Sequence, residues 1–302
     1  MPETRNPQLI TMPIRPSAVA GSFYTANPRE LESRVGYFVS QGGRNPKLHP
    51  AEGVVAPHAG YDYSGKTAGV SYAAILKKLE SLPKEISNVT FAVAGPNHTG
   101  NGLALAFSSD DWATPLGIVP ANRELLRYVL EKAPNAGIDG LAHAAEHSIE
   151  VQLPFIQHIA KKAGKRARMV ALCMGDQSLQ ASIGMATAFR EGAKQYIANR
   201  PDEAIIYVAS SDFTHFESAI SARAKDTEAS GLAARVKYSE FDGFVRKTRA
   251  SICGHGPIAM LACIAASEGW EGQVLDYSNS GEASGDFARV VGYGSIAYYR
   301  KN

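Results

Sequence analysis

The feature that most constrains this chain is an alternation of short apolar runs, GVVAP, VTFAVAG, MVALCMG and AIIYVASSD, with longer segments of helical spacing. Runs of this length, rich in Val, Ile and Ala and bounded by Gly or Pro, predict strands buried on both faces. Strands that alternate with helices predict parallel pairing with crossovers, so the expected fold class is α/β, a single domain with a mainly parallel central sheet and helices on both faces. Asn27 followed by Pro28 marks a helix start, a cap residue before proline at the first helical position. The spacing of Val70, Ala73, Ala74 and Leu76 predicts a second helix from about Gly65. LALAFSS and DDWATPLG read as antiparallel additions, followed by a helix in ANRELLRYVLEKA and another over SIEVQLPFIQHIAKKAG, where Pro154 either kinks the helix or marks its real first turn. Further helices are expected from about Ser178 to Ala198, over SARAKDTEASGLAARVK, before Cys253 and from near Pro257, with late strands in QVLDYSN and VVGYGSIAYY.

The 302 residues suffice for a sizeable core, and neither a low-complexity linker nor an internal repeat divides them. The expected organisation is an extended polar leader over residues 1–15 and one domain over 16–302. With 31 basic against 29 acidic side chains the formal charge is +2, which gives no bulk pull toward nucleic acid or membrane. The densest basic stretch, Lys161 to Arg168, falls where a helix should end, and cations suit that end of the helix dipole. No apolar stretch approaches the ~20 residues of a membrane span, and the first residues lack the apolar core of a signal peptide, so cytoplasmic residence is expected. Of three cysteines, Cys173 and Cys263 lie in apolar surroundings, whereas Cys253 is flanked by glycine in SICGHGP.

His58, His98 and His215 each sit just after one of the apolar runs. A residue there lies at the carboxyl end of a strand, the edge of an open α/β sheet at which ligands bind. APHAG and GPNHTG both place proline before the histidine and glycine after it, a stiff turn that permits close backbone approach. Cys253 precedes an apparent helix start, a position expected to lower a thiol pKa and favour metal ligation or nucleophilic attack. Two imidazoles and a thiolate form a known zinc set, and they resemble the three-ligand arrangement of non-haem iron with sulfur in place of a carboxylate. Asp212 and His215 in SSDFTH could act as acid or base, or form only a structural turn. In EHSIE, the acidic residues near an expected helix start need only the dipole to explain them. Ser210 and Ser211 lack a G-x-S-x-G elbow, and no P-loop or dinucleotide fingerprint is present.

Taken together, AGSFYT, APHAGYDYSG, GPNHTG, EHSIEVQLPF, SSDFTHF and CGHGPI, in this order over nearly all of residues 16–300, resemble the Memo family, whose prokaryotic members are also called AmmeMemoRadiSam system protein B. The resemblance implies a fold similar to the class III extradiol, LigB-like non-haem iron dioxygenases. It implies metal ligation by His58, His98 and Cys253, and it places His215 where those enzymes hold a catalytic histidine. Cys253 stands where they use a carboxylate, which argues against ring cleavage as such. The expectation is a metal-dependent, dioxygenase-like redox protein with iron or copper, and zinc as a further option. His215 and Asp212 are the expected acid and base, and Tyr61, Asn97, Glu146, His147 and His255 the supporting or substrate-facing groups. The resemblance also implies an alternative, a non-catalytic module that binds a peptide or protein in the same crevice. It points to radical SAM and AMMECR1-like partner proteins. Zinc-dependent hydrolysis is a weaker alternative.

Overall fold

The computed structural model describes residues 13–301. Residues 1–12 of the expected leader lie outside that range. The strands, in chain order, are β1 (Ile14–Arg15), β2 (Gly53–Ala56), β3 (Asn88–Pro96), β4 (Leu105–Ser108), β5 (Asp111–Thr114), β6 (Gly117–Val119), β7 (Gly137–Ile138), β8 (Arg166–Met174), β9 (Glu203–Ser210), β10 (His215–Glu217), β11 (Glu271–Asn279) and β12 (Val290–Tyr299). Nine of them form one sheet in the order β10-β12-β2-β9-β3-β8-β4-β7, with β11 on the other side of β12. The central run β2-β9-β3-β8 is parallel. These four strands are the four apolar runs of the sequence, and antiparallel neighbours, β12 against β2 and β4 against β8, extend them into a mixed sheet.

Alternation along a strand explains why these runs are apolar at every position. Phe91 and Val93 pack on one face with helices Pro28–Gly42, Tyr61–Ser81 and Leu153–Lys162. Ala92 and Ala94 pack on the other with Leu179–Ala198, Ala219–Ala234 and His255–Glu268. Both faces are covered, so polar side chains stand in these strands only where they are hydrogen-bonded, as Thr90 and Ser210 are. No helix among the described residues is long and apolar enough to cross a membrane.

The Asn27 cap is as expected, its side chain accepting from the backbone N–H groups of Arg29 and Glu30. Pro154 marks a first turn: a short 3-10 stretch, Glu150–Gln152, precedes the helix that begins at Leu153. Three local expectations need correction. The second helix begins at Tyr61, four residues before Gly65, because its first turn is anchored by the Tyr61 N–H donating to the Phe23 carbonyl. DWAT does not join the main sheet; β5 pairs with β1 and β6 in a separate three-stranded sheet, which periodicity alone cannot distinguish from an edge addition. The EHSIE segment stands just ahead of the helix as expected, but the dipole is not the whole account of its acidic residues: Glu150 pairs with Arg15 and Glu146 bonds His98.

Candidate metal centre

Parallel pairing of β2 with β9 sets Ala56 beside Ser210 and carries both chains off the same sheet edge. Two residues on, the His58 backbone N–H donates to Asp212 Oδ1 at 2.8 Å, with a longer contact of 3.3 Å from Ala59. The His58 ring is buried, and its Nδ1 lies 2.8 Å from Ser210 Oγ. Ser210 has one proton, which it donates to the Ser148 carbonyl at 2.6 Å, and the Gln152 amide donates to the same hydroxyl at 2.8 Å. Gln152 is itself fixed, donating to the Pro57 carbonyl and accepting from the Tyr72 hydroxyl. With its proton committed, Ser210 can only accept from His58, so Nδ1 carries the hydrogen and Nε2 presents a bare lone pair. Burial, with the neighbouring imidazoles His147 and His98, holds the His58 pKa well below the usual histidine range and keeps that pair free.

His98 reaches the same outcome through an anion. Its Nδ1 lies 2.9 Å from Glu146 Oε1, its backbone N–H donates to Oε2 at 2.6 Å, and Ser148 N–H donates to Oε1 at 2.8 Å. Burial opposes the charge on Glu146, but these bonds and the nearby imidazoles outweigh it and hold the carboxyl down at about 2. The carboxylate therefore claims the Nδ1 hydrogen, and Nε2 of His98 is left as the donor. Gly95, at the end of β3, lets the strand pass Ser148; a Cβ there would sit 2.5 Å from Ser148 Oγ.

Cys253 arrives from the far side of β9. Gly254 presses on Ser210 and Ser211, where a Cβ would sit 2.5 Å from the Ser210 carbonyl. Gln177 pins the turn, donating to the Cys253 carbonyl at 2.8 Å and accepting from Gly256 N–H at 2.9 Å. The Cys253 sulfur lies 3.2 Å from His58 Nε2 and accepts from Asp212 N–H at 3.2 Å. Its pKa moves opposite to the sequence expectation: burial, then the Asp212 charge, push the thiol up despite the helix that starts at His255. Removing solvent outweighs a partial dipole charge, so only a cation beside it would hold the sulfur as thiolate.

One donor atom from each of His58, His98 and Cys253 lies within 4.8 Å of the others. Among the remaining expected residues, Asp212 is buried and raised to about 6 by that burial, against the bonds from His58 and Ala59. His215 stands in β10, and its Nδ1 donates to the Ser251 carbonyl at 2.8 Å, leaving Nε2 bare. His147 stacks on His98 with ring centres 4.6 Å apart, with Phe23 equally close, and burial holds its pKa down to about 4. Tyr61 is committed to the Val151 carbonyl and Asn97 to the turn of its own loop. His255 donates to the Ile252 carbonyl and has no ring contact with the imidazole cluster.

Gln152, Gln177, Ser148 and Arg15 are not among the site residues expected from the sequence, in which Ser210 reads only as a nucleophile. Arg15 is buried against Glu150 at 2.6 Å and donates to the carbonyls of His143 and Glu146, so the N-terminal strand holds the segment that supports His98. Polar residues embedded in an apolar block, as Glu150 and Gln152 are in EHSIEVQLPF, were the available signal.

Two imidazoles and a sulfur gathered past the strand ends could hold a divalent transition metal, so fold and site are those of an α/β protein with a His/His/Cys group of candidate metal ligands. A family model described as "Memo-like protein" matches residues 15–297. The chain is 36% identical to a MEMO1 family protein of Methanosarcina barkeri over 284 residues, 94% of this chain and 99% of that one. It is also 36% identical to one of Methanopyrus kandleri over 295 residues, 95% and 99% of the two chains. A third, from Methanocaldococcus jannaschii, is 33% identical over 289 residues, 93% and 98%. The protein belongs to the Memo family.

Proposed function

We propose that this Memo family member is a metal-dependent redox protein that holds iron or copper through His58, His98 and Cys253. The observation that carries the reading is the hydrogen-bond pattern: Ser210 and Glu146 each take an Nδ1 hydrogen and leave Nε2 of His58 and His98 as ligand atoms. The sulfur of Cys253 lies 3.2 Å from the first of these. A soft thiolate beside two imidazoles favours copper and iron over the hard cations that carboxylates select. An ion held there would supply one-electron chemistry. Around it, the chain provides His215 with an unprotonated Nε2 to accept a proton and Asp212, raised to about 6, to exchange one near neutral pH. A small molecule or a peptide side chain would approach at the strand ends, where His98 is partly exposed. The test is to purify the protein without oxygen, measure its metals, and follow its absorption through cycles of chemical reduction and re-oxidation. Iron or copper with a reversible thiolate charge-transfer band is expected. Zinc as the sole metal, with no reversible spectral change, contradicts the proposal.

A further inference from the structure

His98 has a second coordinating face. Its Nδ1 lies 2.9 Å from Glu146 Oε1, and His147 Nδ1 lies 3.4 Å from the same oxygen. One donor atom from each of His98, Glu146 and His147 falls within 4.8 Å of the others. Ligands bonded to one ion at about 2.0–2.2 Å stand about 3.0–3.5 Å apart, so the carboxylate oxygen is spaced from both nitrogens much as ligands of a common ion would be. The set is two imidazoles and one carboxylate, the donor combination of non-haem Fe(II) sites, whereas the Cys253 set is soft. The backbone N–H groups of His98 and Ser148 already orient this carboxylate and can keep doing so with an ion on Oε1.

We propose that the chain carries two metal seats sharing His98, a thiolate seat at His58, His98 and Cys253 and a carboxylate seat at His98, Glu146 and His147, and that only one is filled at a time. The exclusion follows from the imidazole. A neutral ring carries one hydrogen, so His98 offers either Nε2 to the thiolate seat, with Nδ1–H on Glu146, or Nδ1 to the carboxylate seat, with the hydrogen moved to Nε2. Softer ions fill the first seat and harder divalent ions the second. The second seat rests on the metal-protein reading above but involves neither His58 nor Cys253.

Co(II), whose spectrum reports its ligands, tests this on the metal-free full-length chain. The wild type and His147→Phe should each bind one Co(II) and show a thiolate charge-transfer band. Cys253→Ser should still bind one Co(II), with ligand-field bands and no charge transfer. The double variant Cys253→Ser/His147→Phe should bind at least about tenfold more weakly than Cys253→Ser, the scale on which even a supporting partner of a ligand matters. No binding by Cys253→Ser, or equal binding by it and the double variant, overturns the second seat. Two Co(II) per wild-type chain overturns the exclusion. Absence of the charge-transfer band from the wild type counts against the thiolate seat alone, since the second seat is read in variants without Cys253.

Discussion

His58 and His98 present the same ring nitrogen for different reasons. His58 is fully enclosed and leans on a neutral hydroxyl, Ser210, whose other bonds are saturated by Ser148 and Gln152. His98 is one-third exposed and leans on a buried carboxylate. The hydroxyl sets only orientation and tautomer, whereas the carboxylate also makes its imidazole a stronger donor. Both partners are buried, and what differs is the support that each needs: the Glu146 anion is held by the backbone N–H groups of His98 and Ser148, whereas the neutral Ser210 hydroxyl needs only its two other hydrogen bonds.

The largest effect expected comes from Arg15, which reaches the His98 side through the carbonyls of His143 and Glu146 and pairs with Glu150 in the same segment. Arg15→Met leaves Glu150 buried and unpaired and should cost about 3–5 kcal/mol of stability in denaturant melts. A loss below about 1 kcal/mol would show that the N-terminal strand does not brace this side.

Acidity gives the next effect. Burial holds His143 and His147 down to about 4, so in metal-free protein the unfolded chain takes up protons there from about pH 6.5 downward while the fold refuses them. Asp212 acts oppositely, because the folded protein keeps its proton from about 6 while the unfolded chain releases it down to about 4. Two imidazoles against one carboxyl leave a net loss of up to about 1.4 kcal/mol per pH unit on acidification between pH 6 and 4; His58, also held down by burial, adds to it, and Asp226, a carboxyl raised by burial, opposes it. Urea midpoints at pH 4.5 and 6 check the sign, and Asp212→Asn should steepen the fall.

The two supporting partners differ on a smaller scale. Glu146→Gln removes a charged hydrogen bond of about 1.5–3 kcal/mol and should weaken binding in the thiolate seat by roughly 10–100-fold. Ser210→Ala removes a neutral one of about 0.5–1.5 kcal/mol and should cost roughly 2–10-fold. Equal losses would mean that the two imidazoles are equivalent ligands after all.

Much of this arrangement was legible in the sequence. Burial on both faces wrote the central strands as unbroken apolar runs, and the end of each run located His58, His98 and His215. Cys253 was legible from its glycine neighbour and the helix start. The supporting partners were not, because Ser210, Gln152 and Glu146 act across 48 to 152 residues of chain, and no local pattern encodes which polar side chain meets which ring. The thiol pKa was misjudged for a related reason. A helix terminus is visible in sequence, whereas the depth at which it meets other strands is not. The separate three-stranded sheet was hidden likewise, since β5 looks the same whichever sheet it joins.

The central claim is that His58, His98 and Cys253 hold one metal ion. Its most direct test is the metal content of protein purified without oxygen as wild type, His58→Ala and Cys253→Ala, reconstituted under reducing conditions with equal Cu(I), a soft ion that the carboxylate seat does not favour, and passed through a weak chelator. Close to one copper per wild-type chain, with sharp loss in both variants, is the predicted result; equal retention by all three would contradict it.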